Sequence, residues 1–250
     1  MTGLRSIGLA LALLPAIALV TCAQDKNVER VVRIIARSEP KHLRSRQNLA
    51  KILRNQPNFW IELQAVAERL KTQPAWLLDV MACESLLNPS ARNSLPGQTA
   101  SGLLQFIEAT AQSMGTTTEA IRRMNPVEQL RLVERYLTPF CGCLNSLADV
   151  YMAVFRGFIV EGGDASVVVP LDNSNREQRI YLLNKWFDFN SDSKITKGEL
   201  ALAALAVGRF QPRAPTAKRR GRSSTPTRSE TSVALDRKPE PGQTRSIFIR

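Results

Sequence analysis

The chain has 250 residues, 44% of them hydrophobic, which is enough for one medium-sized domain with a core and some appendages. A wholly disordered chain is therefore excluded. The formal net charge is +12, and much of it resides in residues 211–250, which points to an anionic partner. The spacing of the cysteines gives no metal-binding signature.

Residues 1–23 are predicted to be a secretory signal peptide. An arginine precedes an uncharged apolar run over residues 7–20, too short to span a bilayer comfortably, and small residues precede a cleavage site after Ala23. An uncleaved membrane anchor is one alternative. A lipoprotein acylated at Cys22 is another, which ranks second because threonine is an awkward residue before such a cysteine. We therefore expect export to the periplasm or cell envelope.

Between the termini nearly every segment has the apolar spacing of a helix. Helices are predicted over residues 28–36, 46–54, 60–70, 74–87, 109–114, 118–124, 126–137, 146–155, 176–187 and 197–208. Strand alternation is scarcely visible, and its best candidate, residues 166–169, is short. The expected fold class is all-α, or mainly helical with a small β excursion.

One glutamate stands out in the segment MACESLLNPSARNSLPGQTASGLLQF, residues 81–106. Leu77, Met81 and Glu84 share one face of the predicted helix, so Glu84 extends an apolar stripe. Desolvation and the negative end of the helix dipole both favour a protonated carboxyl there, and a general acid must be protonated. A glutamate that turns to water or pairs with Arg92 is the alternative.

The residues around Glu84 form an ordered series of motifs. Glu84-Ser85 ends the helix, and Asn-Pro-Ser-Ala (88–91), Gly-Leu-Leu-Gln-Phe (102–106) and Thr-Ala (110–111) follow. Downstream, MNPVEQLRLVERYLTPF and SLADVYMAVF look like the helices that close the cleft in the phage-tail and endolysin branch. The series resembles the lysozyme-like domain of lytic transglycosylases (SLT domain) and phage-type muramidases.

The resemblance implies a site on peptidoglycan. Glu84 would protonate the glycosidic oxygen between N-acetylmuramic acid and N-acetylglucosamine, a β-1,4 bond, and would then accept the proton of the attacking hydroxyl. Gln105 and Ser101 would bind the substrate, and Tyr151 would orient the acid or the sugar; a half-buried core tyrosine is the alternative for Tyr151. In a lytic transglycosylase the attacking group is the substrate's own C6 hydroxyl, so the product carries a 1,6-anhydro end.

The carboxylates near Glu84 in the sequence favour a transglycosylase over a hydrolase. A hydrolase usually needs a second carboxylate beside the bond. Asp79 is predicted to face away from Glu84, while Glu108 and Glu119 resemble ordinary solvated charges. A muramidase remains the alternative enzyme.

Three departures from the family pattern keep a second class of function open. Thr99, preceded by Gln98, stands where the family commonly has glycine, and Met152 replaces the asparagine that commonly follows the tyrosine. A noncatalytic peptidoglycan-binding module is therefore the alternative to an enzyme.

A second motif, DFNSDSKITKGE, occupies residues 188–199 between two predicted helices. Its candidate calcium ligands, at EF-hand positions one, three, five, seven, nine and twelve, are Asp188, Asn190, Asp192, the Lys194 carbonyl, Thr196 and Glu199. Ser193 replaces the usual glycine at position six, at a cost of about 1 kcal/mol. We expect one structural Ca²⁺; a polar loop between helices is the alternative.

The remaining features of the sequence are the basic tail and the cysteines. The basic tail, residues 211–250, is predicted to be disordered and to contact anionic envelope polymers, since export argues against nucleic acid; a merely solvated tail is the alternative. Cys83 is expected to pair with Cys141 or Cys143 in an oxidising compartment, and an unpaired, buried Cys83 is the alternative. His42, among charges, is expected to be exposed. The predicted organisation is signal peptide (1–23), helical leader (24–56), lysozyme-like domain (57–165), EF-hand-like segment (166–210) and tail (211–250).

Overall fold

The computed structural model describes residues 26–93 and 98–210. The predicted signal peptide and the predicted disordered tail lie outside the described residues. The chain divides into two units, Met1–Ala36 and Arg37–Arg250. The described residues of the first unit, 26–36, are helical, and the second unit contains all the other elements.

The described residues are mainly helical, which confirms the predicted fold class. The helices are α1 (Lys26–Asn55), α2 (Phe59–Arg69), α3 (Pro74–Ser85), α4 (Glu108–Ser113), α5 (Thr118–Arg123), α6 (Pro126–Leu137), α7 (Leu147–Arg156), α8 (Asn175–Asn184) and α9 (Lys197–Val207). Short 3₁₀ helices follow α6 at Thr138–Phe140 and α8 at Lys185–Phe187. In the described residues, no helix combines the length and apolarity needed to cross a membrane.

Helix α1 is continuous where the sequence predicted two separate helices. Its middle is polar and contains Pro40, yet His42 and Ser45 are buried there. His42 Nδ1 lies 3.0 Å from the carbonyl oxygen of Val207, and the Ser45 hydroxyl donates to the same oxygen at 3.3 Å. The expectation of an exposed His42 was therefore wrong, because its partner is remote in sequence.

Several helices begin at side-chain caps, which explains why their starts were predictable. Asn125 and Glu128 form a capping box at α6, and Thr196 and Glu199 form another at α9. Ser146 caps α7 by accepting a hydrogen bond from the Asp149 backbone N–H. These local signals fix the N-termini of α6, α7 and α9.

Helix α7 lies at the centre of the core, and all its residues, 147–156, are buried. It packs against α3 on one side and α9 on another, and α9 also packs against α3. Two buried ion pairs join α7 to the C-terminal segment: Asp149 with Lys197, and Arg156 with Glu177, each at 2.6 Å. Both ends of α7 are therefore joined to the C-terminal segment by buried ion pairs, and loss of either partner would leave a buried charge without its counterion.

A small antiparallel sheet joins the two ends of the C-terminal segment. Strand β1 (Val167–Val169), which the sequence predicted, pairs with β2 (Ile195–Thr196). Val168, Val169 and Ile195 are fully buried. The strand signal of β2 was missed because two residues are too few for a visible alternation.

Candidate active site

Glu84 lies in the last turn of α3, on the face that the sequence predicted. Its neighbours on that face, Leu77 and Met81, are fully buried, and Glu84 itself is 8% exposed. The helix ends one residue later, because Leu86 adopts a left-handed conformation (φ 55°) and its N–H donates to the Ala82 carbonyl. This turn places the carboxyl group at the edge of the core, where its Oε2 atom is buried.

Tyr151, from the centre of α7, supplies a partner for this carboxyl group. Its hydroxyl donates to Oε1 of Glu84 at 2.7 Å, although the two residues are 67 positions apart. The Tyr151 side chain is fully buried. The packing of α3 on α7 therefore brings together the two residues that the resemblance singled out.

Cys83 contributes a third group to this cluster. Its sulfur lies 3.2 Å from the Tyr151 hydroxyl, within hydrogen-bonding distance. A phenol has a single proton, so while Tyr151 donates to Glu84, the thiol is able to donate to the phenol oxygen. Nothing in the sequence predicted this contact.

The expected pairing of Cys83 with another cysteine was wrong. Cys83 is buried on the α3 face that meets α7, whereas Cys141 and Cys143 are exposed on the turn after the 3₁₀ helix at Thr138–Phe140, and all three are thiols. The Cys141 sulfur lies 3.3 Å from the carbonyl oxygen of Arg69. Burial of one cysteine and exposure of the others separates the groups that a disulfide would have to join.

The Gly-Leu-Leu-Gln turn packs against the end of α3. The Ser85 hydroxyl donates to the carbonyls of Met81 and Leu103, both at 3.0 Å, and so ties the helix end to the turn. Gln105, buried and at φ 51°, donates from Nε2 to the Gly102 carbonyl at 2.9 Å. Gln105, which is predicted to contact substrate, thus lies on a turn that is hydrogen-bonded to the end of the helix that carries Glu84.

Ser101 is held by contacts within its own loop. It is fully buried, its hydroxyl donates to the Thr99 carbonyl at 2.9 Å, and it accepts a hydrogen bond from Arg122 Nη1 at 2.8 Å. The proton and one lone pair of this hydroxyl are therefore used within the protein. Ser101 supports the loop, and its contact with substrate stays a prediction.

Gln129 organises the same loop, and sequence reasoning missed it. Its Oε1 accepts the Leu103 N–H at 2.8 Å, and its Nε2 donates to the carbonyls of Pro89 at 2.7 Å and Ile121 at 2.9 Å. This fully buried amide thus connects the Asn-Pro loop, the Gly-Leu-Leu-Gln turn and α5. The available signal was a glutamine four residues before Val133 on the buried face of α6.

The other carboxylates near Glu84 in the sequence have partners elsewhere. Asp79 is 3% exposed and accepts the Phe210 N–H at 2.9 Å, and its burial raises the pKa to about 7. Glu108 accepts hydrogen bonds from Thr118, which lower its pKa, and Glu119 pairs with Arg123. None of these contacts involves Glu84.

The loop at residues 188–199 forms a compact turn. The Asp188 carboxylate accepts the N–H groups of Asp192 at 3.2 Å and Ser193 at 3.0 Å. Ser193 has φ 65°, the conformation that glycine usually provides at position six of a calcium loop.

Other ligands expected in this loop are engaged in hydrogen bonds. Asn190 contacts Asp192 through its side chain, and the Lys194 N–H donates to Asp192 at 2.9 Å. Glu199 accepts the N–H groups of Phe189 and Thr196 at 2.8 and 2.9 Å. Among the residues described, no three His, Cys, Asp or Glu side chains form a group that could hold a metal ion.

Comparison with known proteins places the candidate site within one family domain. Residues 62–155 match the sequence model of the transglycosylase SLT domain, and this range contains Glu84, Gln105 and Tyr151. Neither the curated proteins nor the solved structures include a significant match to this chain. The match of residues 62–155 to this domain agrees with the mainly helical, lysozyme-like fold and supports a lytic transglycosylase acting on peptidoglycan.

Proposed function

We propose that this protein is an exported lytic transglycosylase in which Glu84 alone serves as the general acid and base. The observation that carries the proposal is the contact of Glu84, 8% exposed, with the buried hydroxyl of Tyr151 at 2.7 Å. Apolar surroundings favour the neutral form of a carboxyl group, and a general acid must start in that form.

The reaction requires two proton transfers at Glu84, one from the carboxyl group and one back to it. Glu84 donates its proton to the glycosidic oxygen while the bond from that oxygen to C1 of N-acetylmuramic acid breaks. The C6 hydroxyl of the same sugar then bonds to C1 and gives its proton to the Glu84 carboxylate. The products are a 1,6-anhydro end and a free 4-hydroxyl on N-acetylglucosamine, and the glutamic acid is restored.

Tyr151 supports this chemistry by fixing the carboxyl group. Because Oε1 accepts the phenol proton, the transferable proton of Glu84 belongs on Oε2. Held in this way, the carboxyl group keeps one orientation, and such orientation contributes to the rate. Oε2 is buried in this structure, so the proposal requires that substrate binding expose this oxygen to the glycosidic bond. Gln105 is proposed to line the same site, from a side chain already held by Gly102.

Transglycosylation is proposed over hydrolysis because the nearby carboxylates are engaged. The carboxylates of Asp79 and Glu108 accept hydrogen bonds from the N–H groups of Phe210 and Thr118, respectively. The Glu119 carboxylate forms an ion pair with Arg123. A hydrolase that activates water or forms a covalent intermediate needs a second carboxylate flanking the bond. An internal hydroxyl nucleophile needs none.

Two of the three departures from the family pattern, Met152 and Thr99, are compatible with activity, because they serve the scaffold. Met152 is fully buried, and its sulfur accepts the Val160 N–H at 3.2 Å. Thr99 accepts the Glu108 N–H at its hydroxyl, at 3.0 Å, and its carbonyl accepts from Ser101. These contacts argue against the alternative of a binding module that has lost its chemistry.

Purified sacculi test the proposal directly. Incubation with the mature chain should release muropeptides with anhydro ends, identified by mass. Reducing ends would instead indicate a muramidase, and retained binding without release would indicate a noncatalytic module. Glu84→Gln should abolish release and leave sedimentation with sacculi unchanged.

Export and the tail remain part of the proposal. Residues 1–23 would direct the chain out of the cytoplasm, with Cys22 acylation as the alternative, and residues 211–250 would contact anionic envelope polymers. Fractionation of cells that express the full chain tests the first statement. Binding of the protein with and without residues 211–250 to sacculi that carry or lack anionic polymers tests the second.

We also propose that the loop at residues 188–199 binds Ca²⁺ in a structural role. Its donors are hard oxygens in EF-hand order, and the left-handed Ser193 supplies the required turn. The Glu199 carboxylate would have to leave its hydrogen bonds with Phe189 and Thr196 to reach a cation. A bound ion would supply charge neutralisation between α8 and α9.

A further inference from the structure

One residue outside the SLT match lies directly against the candidate catalytic pair. Phe187, the last residue of the 3₁₀ helix after α8, is 2% exposed. Its ring packs edge-on against the ring of Tyr151, with centroids 5.6 Å apart and an interplanar angle of 76°. The residue that donates to Glu84 is thus packed against a side chain from the C-terminal segment.

Phe187 is itself held firmly in place. Its ring contacts Phe155 edge-on at 5.5 Å and lies against Trp186 at 3.6 Å between centroids. Because Phe155 follows Tyr151 by one helical turn on α7, Phe187 meets both rings of one helix face. The position of the Tyr151 ring is therefore set from the side of the C-terminal segment as well as by α7.

The ion pairs at the two ends of α7 hold this arrangement together. Lys197 of α9 contacts Asp149 in the first turn, and Glu177 of α8 contacts Arg156 in the last turn. Tyr151 lies between these contacts, and its hydroxyl projects to Glu84 on α3. A shift of the C-terminal segment would move the ring on which the Glu84 contact depends.

We propose that Phe187 is a positioning residue for the reaction, holding the Tyr151 hydroxyl on the Glu84 carboxyl group, so that the active site depends on this one ring of the C-terminal segment. This inference rests on the proposed function of Glu84. It assigns a role in catalysis to a segment that lies beyond residues 62–155. The role is indirect, since Phe187 acts through Tyr151.

A double-mutant cycle tests the inference. Phe187→Leu should lower kcat on sacculi roughly ten- to hundredfold, since small misplacements of a catalytic group have effects of this size. Binding to sacculi should be unchanged. In a Tyr151→Phe background, which has no hydroxyl to position, Phe187→Leu should cause no further loss of kcat. Additive losses in the two backgrounds would overturn the proposal.

Ile180→Ala is the matched control for general loss of packing. Ile180 is buried in α8 of the same segment. As an aliphatic residue, it makes none of the edge-on ring contacts that Phe187 makes with Tyr151 and Phe155. It should lower the melting temperature without lowering kcat at a temperature where it is folded. If Phe187→Leu does not fold, Phe187→Met, which keeps most of the volume without the ring, takes its place in the cycle.

A spectroscopic measurement separates failure of this inference from failure of the proposed function. The chain has 3 tyrosines, so ¹³C labelling at the tyrosine ζ carbon gives few resonances, which single Tyr→Phe variants assign. The Tyr151 resonance should shift in Glu84→Gln, and Phe187→Leu should move it in the same sense. A Tyr151 resonance unmoved by Phe187→Leu would overturn the positioning role even in an active enzyme. Wild-type product release by Glu84→Gln would instead overturn the proposed function.

Discussion

The hydroxyl of Tyr151 donates to Oε1 of Glu84 across the interface of two helices that are remote in the chain. Glu84 ends α3 and Tyr151 lies in the middle of α7, so only the packing of these helices creates the contact. One side chain of this pair is proposed to carry the transferred proton, and the other to orient it. The two are expected to respond differently to substitution.

Replacement of the acid should abolish the chemistry. Glu84→Gln keeps the shape of the side chain and an acceptor for Tyr151 but has no acidic proton to transfer. We expect muropeptide release to fall by about 10²–10⁴-fold, the usual contribution of a general acid. Glu119→Gln, at an exposed carboxylate paired with Arg123, is the control and should keep wild-type release. Equal release by the two variants would remove Glu84 from the mechanism.

Replacement of Tyr151 by phenylalanine should lower the rate and spare the fold. Tyr151→Phe keeps the ring that packs on Phe187 and removes the donor to Glu84. We expect kcat to fall about 10- to 100-fold, with the melting temperature reduced by only a few degrees. The measurement is initial release from sacculi at saturating substrate, together with thermal unfolding.

Tyr136→Phe provides the matched control for the loss of a tyrosine hydroxyl. Tyr136 donates to the Ala153 carbonyl at 3.2 Å, and its ring packs edge-on against Phe106. It should lose a comparable amount of stability and retain kcat. Comparable kcat losses in both variants would show that Tyr151 acts only through packing.

Stability should depend on pH through Asp79, a buried carboxyl group that the proposed mechanism does not use. Burial raises its pKa from 3.8 to about 7, because the neutral form of the carboxyl group is favoured over the charged form in the folded state. A raised folded-state pKa means that stability is highest below the unfolded pKa and is lost as pH rises through about 7. Ionisation of Asp79 would remove up to about 4 kcal/mol between pH 4 and pH 8.

The Asp79→Asn variant tests this dependence. An asparagine oxygen is still able to accept the Phe210 N–H, and it carries no charge at any pH. In denaturant unfolding, the variant should exceed the wild type in stability at pH 8 and approach it at pH 5. Asp79→Ala, which loses the acceptor, should be destabilised at both values. Stability curves of wild type and Asp79→Asn that run parallel with pH would contradict the assignment.

The local part of the structure could be predicted from the sequence, because its signals are local. Apolar periodicity and capping residues placed α6 at residues 126–137 and identified the buried face of α3 that carries Glu84. The contact of Glu84 with Tyr151 came only through the family resemblance. The spacing of residues along one helix does not predict which residues of another helix they will contact.

The errors and omissions concern contacts between residues distant in the chain. The buried His42 is hydrogen-bonded to the Val207 carbonyl, 165 positions away. The buried Asp79 accepts the Phe210 N–H, 131 positions away. Cys83 is buried in the core and forms no disulfide with Cys141. The Phe187–Tyr151 contact was equally invisible, because the two rings belong to segments that look independent in the sequence.

Calcium should bind the loop at residues 188–199 and stabilise the C-terminal segment. We expect a dissociation constant of about 10⁻⁴–10⁻³ M, the range of extracellular modules, since Ser193 replaces glycine and Glu199 must leave its hydrogen bonds. Calorimetric titration with CaCl₂ measures the affinity. Removal of the ion with EDTA should lower the melting temperature.

Glu199→Gln should remove this calcium response and leave the fold intact, because glutamine also serves in a capping box with Thr196. Asp172→Asn, at an exposed carboxylate before α8 and outside the loop, should retain it. If the wild type gives neither heat on titration nor a calcium-dependent melting temperature, the loop is a polar connection between helices.

Gly102 should be intolerant of any side chain, because its backbone and its surroundings both require glycine. It has φ 80°, and a Cβ there would lie 2.5 Å from Ile121 Cγ2 and 2.7 Å from Gln129 Oε1. Gly115 is the matched control, since its φ is 72° and no atom lies within 4 Å of an added Cβ.

Gly115→Ala should destabilise the protein by about 1–2 kcal/mol through backbone strain alone. Gly102→Ala should exceed this by about 1–3 kcal/mol, because Gln129 would be pushed away from the Leu103 N–H that it accepts. That displacement loosens the turn that carries Gln105, so release from sacculi should fall in Gly102→Ala and not in Gly115→Ala. Unfolding and release assays on both variants measure the two effects, and equal behaviour of the variants would show that the Gln129 contact does not hold the turn.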